Sequence, residues 1–221
     1  MSLGLTTNII ISSTKNGGEN HWETVYKTKA PNAVSWYRPH LETSLRFIEQ
    51  ATQGQKNLSI IDVGGGQSTL VDDLLARGYQ NISVLDISKS AINGTKEQLG
   101  KAAENVKWFI DDITQVKLPE HYYEVWHDRG LFHFLNTPEQ RAAYVRQVTL
   151  AMKLGGHVII SIFGPQGPEK CSGLEVVRYD VESLSAQFGE QFQLIDSMTE
   201  IHQTPFDTKQ QFLYCYFKVK L

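Results

Sequence analysis

The chain has 221 residues, 41% hydrophobic and 20% charged, which fits one globular domain with a buried core. Its net charge of -3, without any run of lysine or arginine, excludes an extended basic surface, so we predict no nucleic-acid partner. No apolar run approaches the roughly 20 residues of a membrane helix. The first residues, MSLGLTTNIIISS, also lack the basic and long apolar regions of a secretory signal. We therefore expect a cytoplasmic protein without a membrane partner.

Apolar runs of strand length alternate with helical patterns along the chain. The predicted strands are 58–63, 81–87, 106–113, 122–128, 156–163, 192–202 and 210–221. The predicted helices are 68–78, 88–100, 137–156 and 180–189. Ser88 and Thr137 precede two of these helices and are typical N-caps.

The repeated order of strand and helix predicts an α/β fold: a three-layer sandwich whose seven-stranded, mostly parallel sheet is covered on both faces. In the last strand, side chains alternate between the two faces of the sheet, as Leu213, Cys215, Phe217 and Val219 against Phe212, Tyr214, Tyr216 and Lys218. We treat 1–221 as a single domain. Residues 1–50 form a helical N-terminal cap, 57–163 the ligand-binding core, and 164–221 a substrate-side lid with the terminal strands.

Three glycines follow the first strand, in the stretch DVGGG. In an open α/β sheet the ligand lies beyond the carboxyl ends of the strands, and glycine lets it approach the backbone there. The dinucleotide fingerprint G-x-G-x-x-G would need its last glycine at Thr69. That departure, together with the acid at Asp62, argues against an NAD(P)-dependent oxidoreductase, which we keep as a second alternative.

The D-x-G-x-G pattern of Asp62, Gly64 and Gly66 resembles motif I of the class I S-adenosylmethionine-dependent methyltransferases, which have a Rossmann-like fold. The final glycine of that motif is Ser68 here. The resemblance implies that the acid supports the loop and that Gly64, Gly65 and Gly66 pass under the methionine part of the cofactor. That cofactor is S-adenosyl-L-methionine, which leaves as S-adenosyl-L-homocysteine.

Acids also stand at the next two strand ends. A carboxylate at Asp86, with Ile87 beside it, can accept hydrogen bonds from both ribose hydroxyls. Asp112, in the stretch FIDDIT, matches the family acid that accepts the adenine amino group. Asp111 is the competitor for that role, and Ile113 completes the segment. Three acids at consecutive strand ends favour one cofactor site.

The fourth strand carries a further pattern, W-x-D-R-G, followed by P-x-x-R-x-x-Y. It resembles the thiopurine and thiol S-methyltransferase branch, although His127 is inserted into that branch's W-D-R-G. A related D-[KR]-G element occurs in some protein lysine methyltransferases. The resemblance implies methyl transfer to a small-molecule nucleophile, a thiol or other chalcogen, with protein lysine N-methylation as the alternative. The matching residues are Trp126, Asp128, Arg129, Gly130, Pro138, Arg141 and Tyr144.

Candidates for the chemistry follow the fourth strand. His127, Asp128 and His133 are the predicted catalytic residues, because a side chain that titrates near neutral pH can take the proton of a thiol. Asp128 and Arg129 are also predicted to contact the cofactor. Arg38, Arg129 and Arg178 are candidates for binding an acidic substrate.

Aromatic residues near the N-terminus complete the predicted site. Trp22, Tyr26 and Trp36 could stabilise the sulfonium cation through their ring faces. The lid is expected around 168–180, where glycine and proline are frequent and Cys171 lies. We predict no metal, since no histidine and cysteine cluster has zinc spacing and no Asp-Asn pair follows the fifth strand.

Overall fold

The computed structural model describes residues 14–220, with side chains from residue 18 onward. Residues 1–13 and Leu221 lie outside the described residues, and so does the N-terminal stretch on which the signal-sequence expectation rests. The α-helices of the described part are α1 (Thr14–Thr28), α2 (Glu42–Thr52), α3 (Leu70–Ala76), α4 (Lys89–Leu99), α5 (Pro138–Ala151) and α6 (Val181–Phe188).

Seven strands form one sheet in the order β3-β2-β1-β4-β5-β9-β8, and two short strands, β6 and β7, pair separately. Strands β1 to β5 run parallel, β9 is antiparallel to β5, and β8 is antiparallel to β9. This confirms the predicted α/β sandwich with its seven-stranded, mostly parallel sheet. The strands are β1 (Ser59–Val63), β2 (Asn81–Asp86), β3 (Val106–Ile110), β4 (Tyr123–Arg129), β5 (Met152–Phe163), β6 (Lys170–Cys171), β7 (Leu174–Glu175), β8 (Phe192–Gln203) and β9 (Lys209–Val219).

Both faces of the sheet are buried, each in its own apolar cluster. Strand β9 shows the alternation predicted from its sequence. Leu213, Cys215 and Phe217 pack with α5 and α6 on one face, whereas Phe212 and Tyr214 pack with α2 and α3 on the other. The sheet is therefore the middle layer of three.

Helix capping follows the local sequence. The side chain of Ser88 accepts a hydrogen bond from the amide of Ala91 at the start of α4. Thr137 and Gln140 form a capping box at the start of α5. Both predicted N-caps are thus observed.

Two strands differ in length from the prediction. Strand β3 ends at Ile110 rather than at 113, because the carboxylate of Asp112 accepts the amide of Thr114 and turns the chain. Strand β5 begins at Met152 rather than at 156. Residues 152–156 were predicted as the end of the helix 137–156, but α5 ends at Ala151, and the pairing of β5 with β4 shifts register between Tyr123 and Val125.

The N-terminal helix and the lid segment are both anchored to the core. Helix α1 packs on α4, where the carboxylate of Glu23 accepts the amide of Ser90 at 3.1 Å. In the lid segment, β6 and β7 form a short hairpin, and the amide of Val177 donates to the carbonyl oxygen of His133 at 2.8 Å. Across residues 14–220 no helix is long and apolar enough to span a membrane.

Candidate active site

A cavity of about 500 Å³ lies beyond the carboxyl ends of β1 to β5. Helix α1 and the segment that follows it roof one side, and the lid hairpin contributes Cys171, Leu174 and Glu175. This is the position in which open α/β sheets hold their ligands. The volume falls within the range of about 300–1,000 Å³ that is usual for small-molecule and cofactor sites.

The glycine-rich loop after β1 is tied to the end of β2. The amides of Gly64 and Gly65 both donate to the carbonyl oxygen of Leu85, at 2.7 and 3.2 Å. The amide of Gly66 donates to the carboxylate of Asp86 at 2.8 Å. Loop and acid therefore form one rigid floor.

Glycine is required in this loop for space as well as for conformation. Gly64 has φ +70°, and a Cβ there would lie 2.8 Å from Cβ of Leu131. Gly66 has φ +53°, and a Cβ there would overlap the hydroxyl of Tyr26. Side chains are excluded at both positions, because Leu131 and Tyr26 already occupy the space that a Cβ would take.

Asp86 ends β2 under this loop and is buried. One carboxylate oxygen accepts the amide of Gly66, and the other accepts the amide of Ser88 at 2.8 Å. Burial raises the pKa of Asp86 to about 6, although the two amides favour the ionised form. Each oxygen retains a lone pair, so the group can still accept two hydroxyl donors.

Asp111 and Asp112 follow β3, and both line the cavity. One oxygen of Asp112 accepts the amide and the hydroxyl of Thr114, at 2.8 and 2.7 Å. Asp111 accepts the amide of Asp112 at 2.8 Å. The turn fixes both side chains, and Ile113 beside them is buried at the cavity wall.

The aromatic residues near the N-terminus meet over the cavity. The ring of Trp22 packs edge-on against Trp36 and Phe134, with centroids 5.9 and 5.0 Å apart, and lies 6.2 Å from the ring of Tyr26. All four residues line the cavity. The three rings that were predicted to face the cofactor therefore lie together at the cavity.

His127 is held on both sides and is 1% exposed. Its Nδ1 lies 2.7 Å from a carboxylate oxygen of Asp62, and its Nε2 lies 2.9 Å from the hydroxyl of Ser44 on α2. Neither ring nitrogen is left to accept a substrate proton. The geometry therefore argues against His127 as a general base. Instead, its ring holds the carboxylate of Asp62 in place beneath the glycine-rich loop.

Asp128 is fully buried and does not line the cavity. Its carboxylate accepts the amides of Leu131 and Phe132, at 2.8 and 3.1 Å, and the hydroxyl of Tyr144 at 2.7 Å. Burial raises its pKa to about 6 despite these donors. We therefore revise both predictions for Asp128, because it caps the turn after β4 instead of facing a cofactor or substrate.

His133 lines the cavity but is unsuited to the predicted role of base. Its Nδ1 accepts the amide of Phe163 at 3.3 Å, which places the proton of the neutral ring on Nε2. Burial, reinforced by the charge of Arg129, lowers the pKa of His133 to about 3. Nε2 has no hydrogen-bond partner among the described residues. His133 can donate a hydrogen bond from Nε2 but cannot take up a proton near neutral pH.

Arg129 lies at the end of β4, which β1 separates in the sheet from β2 and β3, the strands that lead to Asp86 and Asp112. Its Nη1 donates to the carbonyl oxygen of Trp36 at 3.0 Å, and its guanidinium lies 4.5 Å from the ring centre of Phe212. We call the part of the cavity around Arg129 the β4–β5 half of the cavity. It comprises Arg129, His133, Phe163, Cys171 and Phe212.

Sequence reasoning missed two of these residues. Phe163 is the last residue of β5, and the strand-end rule that found the acids would also have found it. Phe212 lies near the start of β9, paired with Phe163. An antiparallel strand brings its amino end to the cavity, so the same rule finds Phe212 only once the strand direction is known. Nothing in the sequence pointed to Ser44 as the partner of His127.

Most of the predicted cofactor residues surround this one cavity; Gly66 and Asp128 do not line it. The predicted residues that do line it are Trp22, Tyr26, Trp36, Asp62, Gly64, Gly65, Ser68, Asp86, Ile87, Asp111, Asp112, Ile113 and Arg129. Within the described part of the chain, no grouping of three histidine, cysteine or acidic side chains could hold a metal ion.

Curated relatives of the chain are named as methyltransferases of the protein eEF1A. The mouse eEF1A lysine and N-terminal methyltransferase is 28% identical over 148 residues, which are 67% of this chain and 21% of the mouse protein. The chain thus spans about a fifth of the length of the first curated relatives it matches. Human EEF1A lysine methyltransferase 2 is 23% identical over 198 residues, covering 82% of this chain and 77% of that protein.

Solved structures share the whole architecture at low sequence identity. An S-adenosylmethionine-dependent methyltransferase from Anabaena variabilis aligns with a TM-score of 0.72 and 15% identity over 95% of this chain and 96% of its own. The Burkholderia thailandensis 1,6-didemethyltoxoflavin-N1-methyltransferase, with bound 1,6-didemethyltoxoflavin and S-adenosylhomocysteine, aligns with a TM-score of 0.66 and 14% identity. That alignment covers 100% of this chain and 94% of the other.

A family model described as a methyltransferase domain matches residues 60–156, which include the glycine-rich loop and β1 to β4. Together, this match and the solved structures support S-adenosylmethionine as the cofactor. The antiparallel β9 inserted between β5 and β8 also differs from the dinucleotide-binding strand order 3-2-1-4-5-6, which disfavours the oxidoreductase alternative. Residues 60–156 thus match a methyltransferase domain, and the chain has the class I fold of S-adenosylmethionine-dependent methyltransferases.

Proposed function

We propose that the protein transfers a methyl group from S-adenosylmethionine to a small-molecule nucleophile, with a thiol or other chalcogen as the favoured acceptor. The observation that carries this proposal is the cavity at the strand ends, which has acids at the ends of β1 to β3 and the β4–β5 half beside them. The predicted division into a cap at 1–50, a core at 57–163 and a lid from 164 onward is part of the proposal. Cap and lid would enclose the acceptor.

The described residues fit the cofactor in three places. Asp86 has acceptor capacity for the ribose hydroxyls, and Asp112 has a second oxygen available beyond the Thr114 turn. The glycine-rich loop brings Gly64 and Gly65, which have no side chains, to the wall of the cavity. Trp22, Tyr26 and Trp36 are assigned to the charged end, as faces that stabilise a cation.

When bound, the cofactor supplies an electrophilic methyl group for in-line displacement. The part left to this chain is to align the acceptor and exclude water. Trp22, Trp36 and Phe134 cover the cavity, and Leu174 of the lid lines it. His133 stays neutral and can only donate, and His127 has both nitrogens engaged. We therefore expect an acceptor that loses its proton to solvent before it reacts.

A second candidate function is protein lysine N-methylation. It is favoured by the names of the relatives, one of which aligns over 82% of this chain. A lysine acceptor would have to enter the β4–β5 half as a long side chain and pass Arg129. The like charge of that arginine opposes an incoming ammonium group, so we rank this function second.

Calorimetric titration with S-adenosylhomocysteine, with NADH in parallel, tests the shared part of the proposal. Micromolar binding of S-adenosylhomocysteine alone is expected. Methyl transfer from the radiolabelled donor is then compared between small thiols and eEF1A protein. Labelling of a thiol supports the first function, and labelling of eEF1A alone replaces it with the second. Binding of NADH alone would refute both.

A further inference from the structure

Two arginines, Arg38 and Arg129, line the cavity. Among the described residues, Arg38 forms an ion pair with a carboxylate and Arg129 does not. Its Nε and Nη2 are shielded from solvent and have no hydrogen-bond partner there. Nη1 is already used by the carbonyl oxygen of Trp36. Guanidinium nitrogens that reach neither solvent nor an acceptor are costly, so a ligand that supplies acceptor oxygens would offset this cost.

The two other arginines considered for substrate binding are already paired. Arg38 donates to the carboxylate of Glu200 at 2.7 Å. Arg178 donates to Glu169 at 3.0 Å and to two backbone carbonyl oxygens of the lid segment. The comparison leaves Arg129 as the anion-binding candidate.

The unpaired atoms of Arg129 have a defined geometry. Nε and Nη2 lie on the same edge of the planar guanidinium, so their hydrogens point in parallel and match the two oxygens of a carboxylate. The stacked ring of Phe212 and the bond to Trp36 hold that plane in place. The edge is therefore organised before any ligand arrives.

Its surroundings separate it from the acids of the cofactor side. Beside Arg129 lie the neutral Nε2 donor of His133, the rings of Phe163 and Phe212, and the thiol of Cys171, whose pKa is raised to about 12 by burial. These groups offer donors and apolar contacts but no negative charge. The acids Asp62, Asp86, Asp111 and Asp112 belong to the ends of β1 to β3.

We propose that the Nε and Nη2 edge of Arg129 binds an anionic group of the methyl acceptor, a carboxylate or similar planar oxyanion, in the β4–β5 half of the cavity. This inference rests on the proposed function and narrows its substrate class to acidic small molecules. His133 donates a further hydrogen bond from Nε2. The same edge could instead take the carboxylate of the cofactor, and the experiment separates these two sources.

The test uses a matched pair of thiols, 3-mercaptopropionate and its neutral amide. Their binding is measured with and without S-adenosylhomocysteine, for the wild-type chain, Arg129→Gln, Arg129→Lys and Arg146→Gln. Arg146 is exposed on α5 and does not line the cavity, so its variant controls for the loss of one positive charge. Circular dichroism and melting temperature check that each variant folds.

The wild-type chain is expected to prefer the acid over the amide. Since hydrogen bonds to charged groups contribute about 1.5–3 kcal/mol, Arg129→Gln should reduce that preference roughly ten- to hundredfold. Arg129→Lys, which keeps the charge and loses the paired donors, should fall between, and Arg146→Gln should behave as wild type. Affinity for S-adenosylhomocysteine should change little in every variant.

Two results would overturn the inference: no preference for the acid in the wild-type chain, or an unchanged preference in Arg129→Gln. A third would reassign the site. If Arg129→Gln loses affinity for S-adenosylhomocysteine but not for 5′-methylthioadenosine, which lacks the carboxylate, the edge holds the cofactor and the proposal is wrong. Failure of the wild-type chain to bind S-adenosylhomocysteine would instead refute the proposed function, and the thiol pair alone would still report on Arg129.

Discussion

Asp86 and Asp128 are both buried carboxylates at the ends of parallel strands, with pKa values raised to about 6, yet their surroundings give them different parts. Asp128 receives three donors from its own turn and from Tyr144. Asp86 receives two amides and faces the cavity. A residue's neighbours, more than its place on a strand, decide whether it meets a ligand.

Cofactor affinity should therefore depend on the ionisation of Asp86. In the free protein its pKa is about 6, and hydroxyl donors from the cofactor would lower that pKa in the complex. Affinity for S-adenosylhomocysteine should thus rise as pH increases from about 5 to 7 and then level off. Asp86→Asn should weaken binding by about 1–3 kcal/mol at pH 7.5 and flatten this rise. Titration calorimetry across the pH range measures both effects.

Asp180→Asn is the control for this experiment, because Asp180 is an exposed N-cap that does not line the cavity. It should keep the wild-type affinity and pH dependence. If Asp86→Asn retains the full rise with pH, Asp86 is not the group that titrates on binding.

The sequence predicted the residues at strand ends better than it predicted their partners. The positions of Asp86 and Asp112 follow from the alternation of strands and turns, which local sequence determines. The engagement of His127 by Asp62 and Ser44 depends on how α2 packs under the sheet, a contact between residues 83 positions apart. No local sequence pattern predicts that contact. His127 was therefore predicted to be a base, although it is buried and hydrogen-bonded on both sides.

At the scale of elements, the glycine-rich loop is held from below by β2 and from the side by the turn after β4. Gly64 and Gly65 donate to Leu85, while Leu131 occupies the space where a Cβ of Gly64 would lie. Helix caps and this loop could be predicted because short sequence patterns determine them. The irregular start of β5 could not, since it depends on pairing with β4.

Gly64→Ala and Gly78→Ala should separate two causes of lost stability: the strain of a positive φ at alanine, and the steric overlap of a new Cβ with its neighbours. Both glycines have positive φ, +70° and +84°, but nothing lies within 4 Å of a Cβ at Gly78. Each variant should lose about 1–2 kcal/mol of unfolding free energy from backbone strain. Gly64→Ala should lose about 1–3 kcal/mol more through overlap with Leu131 and should also bind S-adenosylhomocysteine more weakly.

Urea unfolding and calorimetry measure the two quantities in this pair. Gly78→Ala should leave affinity for S-adenosylhomocysteine unchanged, because Gly78 lies after α3 and does not line the cavity. Equal losses of stability and affinity in both variants would contradict the part assigned to Leu131.

At the scale of the whole molecule, the sheet is the stable layer, and two segments far apart in sequence, the cap and the lid, add to the cavity at its edge. The two faces of β9 lie in different apolar clusters, so this strand ties both helical layers together. The cap contributes Trp22 and Trp36 to the cavity, and the lid contributes Cys171 and Leu174. Cap and lid are distant in sequence and both line the cavity, so one ligand that contacts both should order them together.

Hydrogen exchange with and without S-adenosylhomocysteine should show this coupling. At exchange times too short for the sheet amides to exchange, amides in residues 18–41 and 168–178 report local opening of cap and lid. Binding should slow exchange in both segments, because the entropy cost of ordering the second segment is smaller once the ligand has fixed the first. NADH at the same concentration is the control and should leave both unchanged. Slower exchange in the cap alone would contradict this coupling. It would mean that the cofactor does not order the lid and that ordering of the lid requires the methyl acceptor.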